Sequence, residues 1–157
     1  MLKFITTSNK QTQKLGEILA KDFCGGEIIC LSGELGAGKT TFTQGLLKGL
    51  KIKGPYTSPT FLIMKRYKKE FPISKSQFPN KFKIKNPKSK IFNIYHFDAY
   101  RVDSDDILNL GWKELISSKD DVIIIEWAER VKKIIPKNAL WIKFKWLDKN
   151  ERELNFS

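Results

Sequence analysis

The segment from Glu27 to Leu50 constrains this chain more than any other. Glu27-Ile-Ile-Cys-Leu-Ser is a mostly apolar run of strand length, Gly33-Glu34-Leu35-Gly36-Ala37-Gly38-Lys39-Thr40-Thr41 follows it, and Phe42, Leu46, Leu47 and Leu50 then recur on one helical face. The order predicts strand, loop and helix. Gly33, Gly38, Lys39 and Thr40 satisfy the G-x-x-x-x-G-K-[ST] pattern. Its glycines let main-chain amides close around a polyphosphate, and its last residues open a helix whose unsatisfied N–H groups attract an anion. Lys39 is expected to reach the β- and γ-phosphates. Thr40 is expected to offer its hydroxyl to the magnesium ion that accompanies ATP, a hard cation that prefers oxygen ligands.

With 157 residues, 41% of them apolar, the chain has material for one core, and a single domain over 1–157 is expected. The longest aliphatic run is Val122 to Ile125 and the first ten residues hold no apolar stretch, so neither a signal peptide nor a membrane span is expected, and the location is expected to be cytoplasmic. Cys24 and Cys30 lack metal-ligand company and are expected as reduced, apolar fillers, under a helix and inside the strand. The net charge of +12 is concentrated: ten Lys or Arg against the single acid Glu70 give the stretch 65–90 a charge of +9 and leave +3 elsewhere. Such an insert either solvates itself as a mobile loop or offers phosphates or an acidic partner a docking surface.

In chain order, Leu2 to Thr6 alternates as a short strand would, and Ser8 and Gln11 have capping-box spacing for a helix running to about Asp22. After the phosphate-loop helix, Ser58-Pro-Thr60 forms a hydroxyl-rich loop that is either a γ-phosphate-sensitive switch or an ordinary Ser-Pro turn. Phe61 to Met64 and Ile91 to Phe97 read as strands. Asp98 ends the second, where an acid serves as a water-orienting base, a magnesium partner or a helix cap. His96 reads as a packed imidazole at a strand end. Leu108, Trp112 and Leu115 share the face of one helix capped from Asp103 to Asp106.

Asp121-Val-Ile-Ile-Ile-Glu126 has the run of β-branched residues that suits a parallel strand buried on both faces, and it ends in an acid that can bind magnesium opposite the phosphate loop. Trp127 then stands beside the site, as packing or as a cover. Arg130 to Ile135 predicts a short helix, and Leu140 to Trp146 followed by Asp148-Lys-Asn predicts a C-terminal antiparallel hairpin. The expected fold is therefore α/β: a mixed, mainly parallel sheet of the P-loop NTPase type, flanked by helices and closed by that hairpin.

Together, Gly33 to Thr41, Ser58-Pro-Thr-Phe61, His96-Phe-Asp-Ala-Tyr-Arg101 and Ile125-Glu-Trp127 resemble, in order and spacing, the bacterial TsaE (YjeE) family. The resemblance implies a small, slow ATPase that assists synthesis of threonylcarbamoyladenosine in tRNA together with TsaD and TsaB. By matching position it implies that Gly33 to Thr41 bind phosphates, that Thr40 and Glu126 hold Mg2+, that Asp98 assists hydrolysis, and that Ser58, Thr60 and Trp127 form a switch or partner-facing region. It further suggests Thr7, Gln11 and Arg152 as contacts to the nucleotide. The stretch between Phe61 and Ile91 is longer and richer in lysine than the family pattern, either as a lineage-specific loop or as a further contact to tRNA or the TsaD-TsaB complex. A small-molecule or nucleotide kinase shares the same loop, but its usual lid arginines are missing: Arg66 stands alone among lysines. A binding module in which ATP only sets conformation is the third reading.

Overall fold

The computed structural model describes residues 2–69 and 93–157. Most of the basic stretch 65–90 and the first two residues of the expected strand 91–97 lie outside them.

Among the described residues seven strands form one sheet in the order β1-β7-β6-β2-β5-β4-β3. β2 (Ile28–Gly33) lies parallel to both β5 (Val122–Glu126) and β6 (Leu140–Asp148), and β5 lies parallel to β4 (Asn93–Asp98). Around this parallel core, β3 (Met64–Lys68) pairs antiparallel with β4, β7 (Glu151–Phe156) with β6, and β1 (Leu2–Thr6) with β7. The α/β expectation and the C-terminal hairpin are both met. The phosphate-loop strand and the acid-terminated strand are neighbours, with Leu31 opposite Glu126.

Helices cover both faces, which is why β5 is buried at every position. On one face α1 (Asn9–Leu19) and α2 (Lys39–Gly49) pack over Ile29, Leu31, Ile94, Ile124, Ile142 and Phe144. Phe42 of α2 is fully buried and meets Phe144 edge-on, with ring centroids 5.5 Å apart; burying such a ring stabilises by roughly 3 kcal/mol. On the other face Cys30, Phe97, Ile123 and Ile125 pack with Ile107, Trp112 and Val131. Trp112 meets Phe97 edge-on and its indole N–H donates to the Ile134 carbonyl at 3.0 Å.

The Ser8 hydroxyl caps α1 by accepting from the Gln11 amide at 3.2 Å, and a 3-10 turn, Ala20–Asp22, continues the helix to its expected end. The helices α1 and α2 touch through glycines. A Cβ on Gly16 would meet the Phe42 carbonyl at 2.5 Å, and one on Gly45 would overlap the Gln13 carbonyl.

Several expectations need correction. Phe61 to Ile63 is a turn, not strand: the Leu62 amide returns to the Pro59 carbonyl at 2.7 Å and Ile63 adopts φ +64°, so β3 starts at Met64 and carries the first cations of the basic stretch. The single helix expected after Asp103 is two, α3 (Ser104–Leu108) and α4 (Trp112–Ser117), because Gly111 adopts φ +82° between them. The helix expected at 130–135 is a 3-10 segment, Ala128–Ile134, kinked at Val131.

Cys30 is buried in β2 as expected, whereas Cys24 is exposed beyond α1 rather than under it. Burial pushes the Cys30 thiol up to about 12. Ellman's reagent at about pH 8 is therefore expected to modify one of the two thiols in the native chain and both after denaturation. Fast reaction of both in the native state would contradict this packing. Among the described residues no helix is long and apolar enough to cross a membrane.

Candidate functional site

The loop between β2 and α2 is shaped by its glycines. Gly38, the N-cap of α2, has φ +102°, and its missing side chain leaves room for the Arg152 side chain, whose Cδ would lie 2.8 Å from a Cβ there. Behind the loop, Gly33 at φ +128° passes so close to the Phe144 carbonyl that a Cβ would overlap it. Backbone amides are thereby presented at the start of an eleven-residue helix, where the helix dipole adds positive potential.

Lys39 is 4% exposed and folds back onto its own loop, donating to the Gly33 and Glu34 carbonyls at 2.6 and 2.8 Å. Its ammonium also lies 3.6 Å from the centroid of the Trp127 ring, a cation–π contact. Burial lowers its pKa, and the nearby carboxylates of Glu129, Glu126, Asp98 and Glu34 oppose that shift. Trp127 itself adopts φ +60°, a conformation uncommon for a non-glycine residue, and Tyr100 packs on its ring at 4.9 Å.

Two carboxylates stand side by side where β4 and β5 end, Asp98 opposite Glu126 in register. Thr40 donates its hydroxyl to Glu126 Oε2 at 2.7 Å, tying the first turn of α2 to the end of β5. Glu126 Oε1 lies 2.9 Å from His96 Nε2. Asp98 Oδ2 accepts from the hydroxyls of Ser58 at 2.9 Å and Thr60 at 2.6 Å, and Asp98 Oδ1 from the Tyr100 amide at 3.0 Å. The loop Ser58–Thr60 is thus fastened to a carboxylate 38 to 40 residues away in sequence.

Leu35, Gly36, Gly38, Lys39, Thr40, Thr41, Ser58, Thr60, Asp98, Glu126 and Trp127 all line one cavity of about 310 Å³. Gly33, Glu34 and Ala37 do not line it: Gly33 and Glu34 hold Lys39 through their carbonyls, and Ala37 is buried. Thr7, Gln11 and Arg152 do not line it. Thr7 donates its amide and hydroxyl to Gln11 Oε1 at 2.7 and 2.9 Å, and Gln11 borders a separate groove beside Phe4, Leu15 and Ile18. Arg152 is 7% exposed and lies against Gly38, with Nη1 donating to the Asn150 carbonyl and Nε without a partner among the described residues.

Three residues gain a place that sequence reasoning did not give them. His96 is a partner of Glu126 rather than only a packed ring; its spacing of two from Asp98 on a strand was the available signal, since it puts both on one face. Tyr100 lines the cavity. Glu129 accepts from the Gly33 amide at 3.2 Å, and no local pattern announced it.

The donor set suits magnesium. Hydroxyl and carboxylate are hard oxygen ligands, and among the described residues no group of three His, Cys, Asp or Glu is placed to cage a metal. Magnesium is commonly held by one or two protein oxygens and completes its shell with water and substrate phosphates.

The family model described as "Threonylcarbamoyl adenosine biosynthesis protein TsaE" matches residues 6–154. A protein of Bacillus subtilis (strain 168) named tRNA threonylcarbamoyladenosine biosynthesis protein TsaE is 31% identical over 156 residues, covering 99% of this chain and 85% of that protein. A protein of the same name from Aquifex aeolicus is 34% identical over 152 residues, covering 96% and 91%. The crystal structure of Bacillus subtilis YdiB superposes with a TM-score of 0.71 at 29% identity, covering 99% of this chain and 83% of that one.

Proposed function

The chain belongs to the TsaE family of tRNA threonylcarbamoyladenosine biosynthesis proteins, and we propose that it serves that modification as a magnesium-dependent ATPase acting with TsaD and TsaB. The observation that carries the proposal is the Thr40 hydroxyl on the Glu126 carboxylate at the floor of the cavity that also holds Lys39. Gly33 to Thr41 would bind the phosphates through loop amides, with Lys39 exchanging the Gly33 and Glu34 carbonyls for phosphate oxygens. Thr40 and Glu126 would hold Mg2+. When bound, the ion neutralises charge on the phosphate oxygens that face it.

Asp98 would accept a hydrogen bond from the attacking water and orient it. It stands beside Glu126 and is held by Ser58, Thr60 and the Tyr100 amide. Because the same carboxylate holds Ser58 and Thr60, any change at Asp98 passes directly to the loop that leads to the exposed Phe61 and Leu62. That coupling supports a switch role for the loop, with Trp127 covering the phosphates. Thr7, Gln11 and Arg152 would serve the nucleoside end. The whole chain would act as one cytoplasmic domain, with tRNA reached through the TsaD-TsaB complex or through the basic stretch.

The test is phosphate release by the purified protein, alone and with TsaD, TsaB and tRNA, alongside the yield of modified tRNA. Turnover is expected to be slow alone and to rise about tenfold or more when the complex completes the site, a modest share of what catalytic groups supplied by a partner can contribute. Modification is expected to require both this protein and ATP. Absence of turnover and of modification with the complex would overturn the proposal and make a screen for phosphorylated small molecules the next experiment.

A further inference from the structure

His96 is the only histidine of the chain. Its ring is 1% exposed, on the β4 face that also carries Asp98, and its Nε2 lies 2.9 Å from Oε1 of Glu126, itself 1% exposed. An ionised carboxylate oxygen only accepts, so Nε2 is the donor in this contact. Nδ1 has no partner. A buried polar atom left unsatisfied costs stability, and an apolar residue of similar volume would fill this position without that cost. What the imidazole contributes in exchange is directed at Glu126: each carboxylate oxygen has one donor, His96 on Oε1 and Thr40 on Oε2, so the plane of the group is fixed.

We infer that His96 is a positioning residue for Glu126, holding Oε1 so that Oε2 stays on Thr40 and the carboxylate would be set to hold the magnesium ion that accompanies the nucleotide. Groups that ligate metals depend on such partners for orientation, and loss of a partner weakens metal affinity. The inference rests on the nucleotide-binding reading and names how that site is held in shape. It requires an N–H at the position of Nε2 and no change of charge on the ring.

Glutamine places an amide nitrogen the same number of bonds from Cα as Nε2, and asparagine one bond fewer. The experiment therefore compares His96→Gln, His96→Asn and His96→Leu with wild type. Affinity for a fluorescent ATP analogue is measured in excess Mg2+ and in EDTA, and thermal melts are recorded for each. The gain in affinity from Mg2+ is expected to fall about tenfold in His96→Asn and His96→Leu and to stay within about threefold of wild type in His96→Gln, with affinities in EDTA unchanged. A general loss of stability would strike the two amides alike, so the split between them is the informative readout. Equal losses in His96→Gln and His96→Leu, or a full Mg2+ gain in every variant, would overturn the inference while leaving the nucleotide site intact. A wild-type protein that binds the analogue in neither buffer would overturn the nucleotide reading, and this inference with it.

Discussion

Glu126→Ala is expected to lower ATP turnover about 100- to 1,000-fold, read as phosphate release at saturating Mg-ATP, in line with removing one fixed electrostatic contact from a phosphoryl-transfer site. Two opposing effects on stability accompany it. The substitution leaves His96 Nε2 and the Thr40 hydroxyl without their partner, at about 1–3 kcal/mol for each group left unsatisfied. It also removes a carboxylate that is 1% exposed, whose desolvation costs several kcal/mol. The two are of similar size, so the melting temperature should move by only about a few degrees, and the loss of turnover should not reflect unfolding. Glu126→Gln sharpens the point, because the amide keeps contact with Thr40 but loses the charge that magnesium needs. It should be as inactive as alanine. Turnover near wild type in either variant would move the metal to Asp98, the other carboxylate at the same level of the sheet, and Asp98→Asn would then carry the Mg2+ dependence.

Gly45→Ala should destabilise the protein by about 3 kcal/mol, the upper end of what overpacking a close contact costs. Helix propensity alone predicts the opposite sign, since alanine in a helix interior is favoured over glycine by about 1 kcal/mol. The tertiary contact decides. A Cβ at Gly45 would overlap the Gln13 carbonyl, and its next contacts, Gln13 C and Cα, are also backbone, so no side chain can rotate away. The helices α1 and α2 would have to separate, drawing Phe42, Leu46 and Leu47 from the face of the sheet on which all three are now buried. For a chain of this size the drop in melting temperature should be about 10 °C. A variant that melts at or above wild type would show that the helices do not approach as closely as described.

The same contrast separates what could be read along the chain from what could not. A phosphate loop is legible because its determinants are contiguous: glycines at Gly33 and Gly38 turn the backbone, and Lys39 and Thr40 follow at fixed spacing. β5 is legible because four β-branched residues in a row have few other stable settings than a strand covered on both faces. The turn at Phe61 to Ile63 was not, because an apolar run has no local mark to say that the Leu62 amide will close back on Pro59. Nor was the break at Gly111, since one glycine within a helical pattern is compatible with either outcome.

By itself, then, the sequence determined a nucleotide-type loop between a buried strand and a helix, an acid at the end of a second buried strand, and an α/β chain closed by a hairpin. Local stereochemistry and hydrophobic periodicity suffice for these, since each depends on residues a few positions apart. Tertiary structure alone decided that Glu126 meets Thr40 and His96, 86 and 30 residues away, and that Asp98 holds Ser58 and Thr60. Those contacts follow from the order of strands, which places β5 between β2 and β4. Strand order is fixed by how two helical layers cover one sheet, a property of the whole packed chain that no single segment encodes.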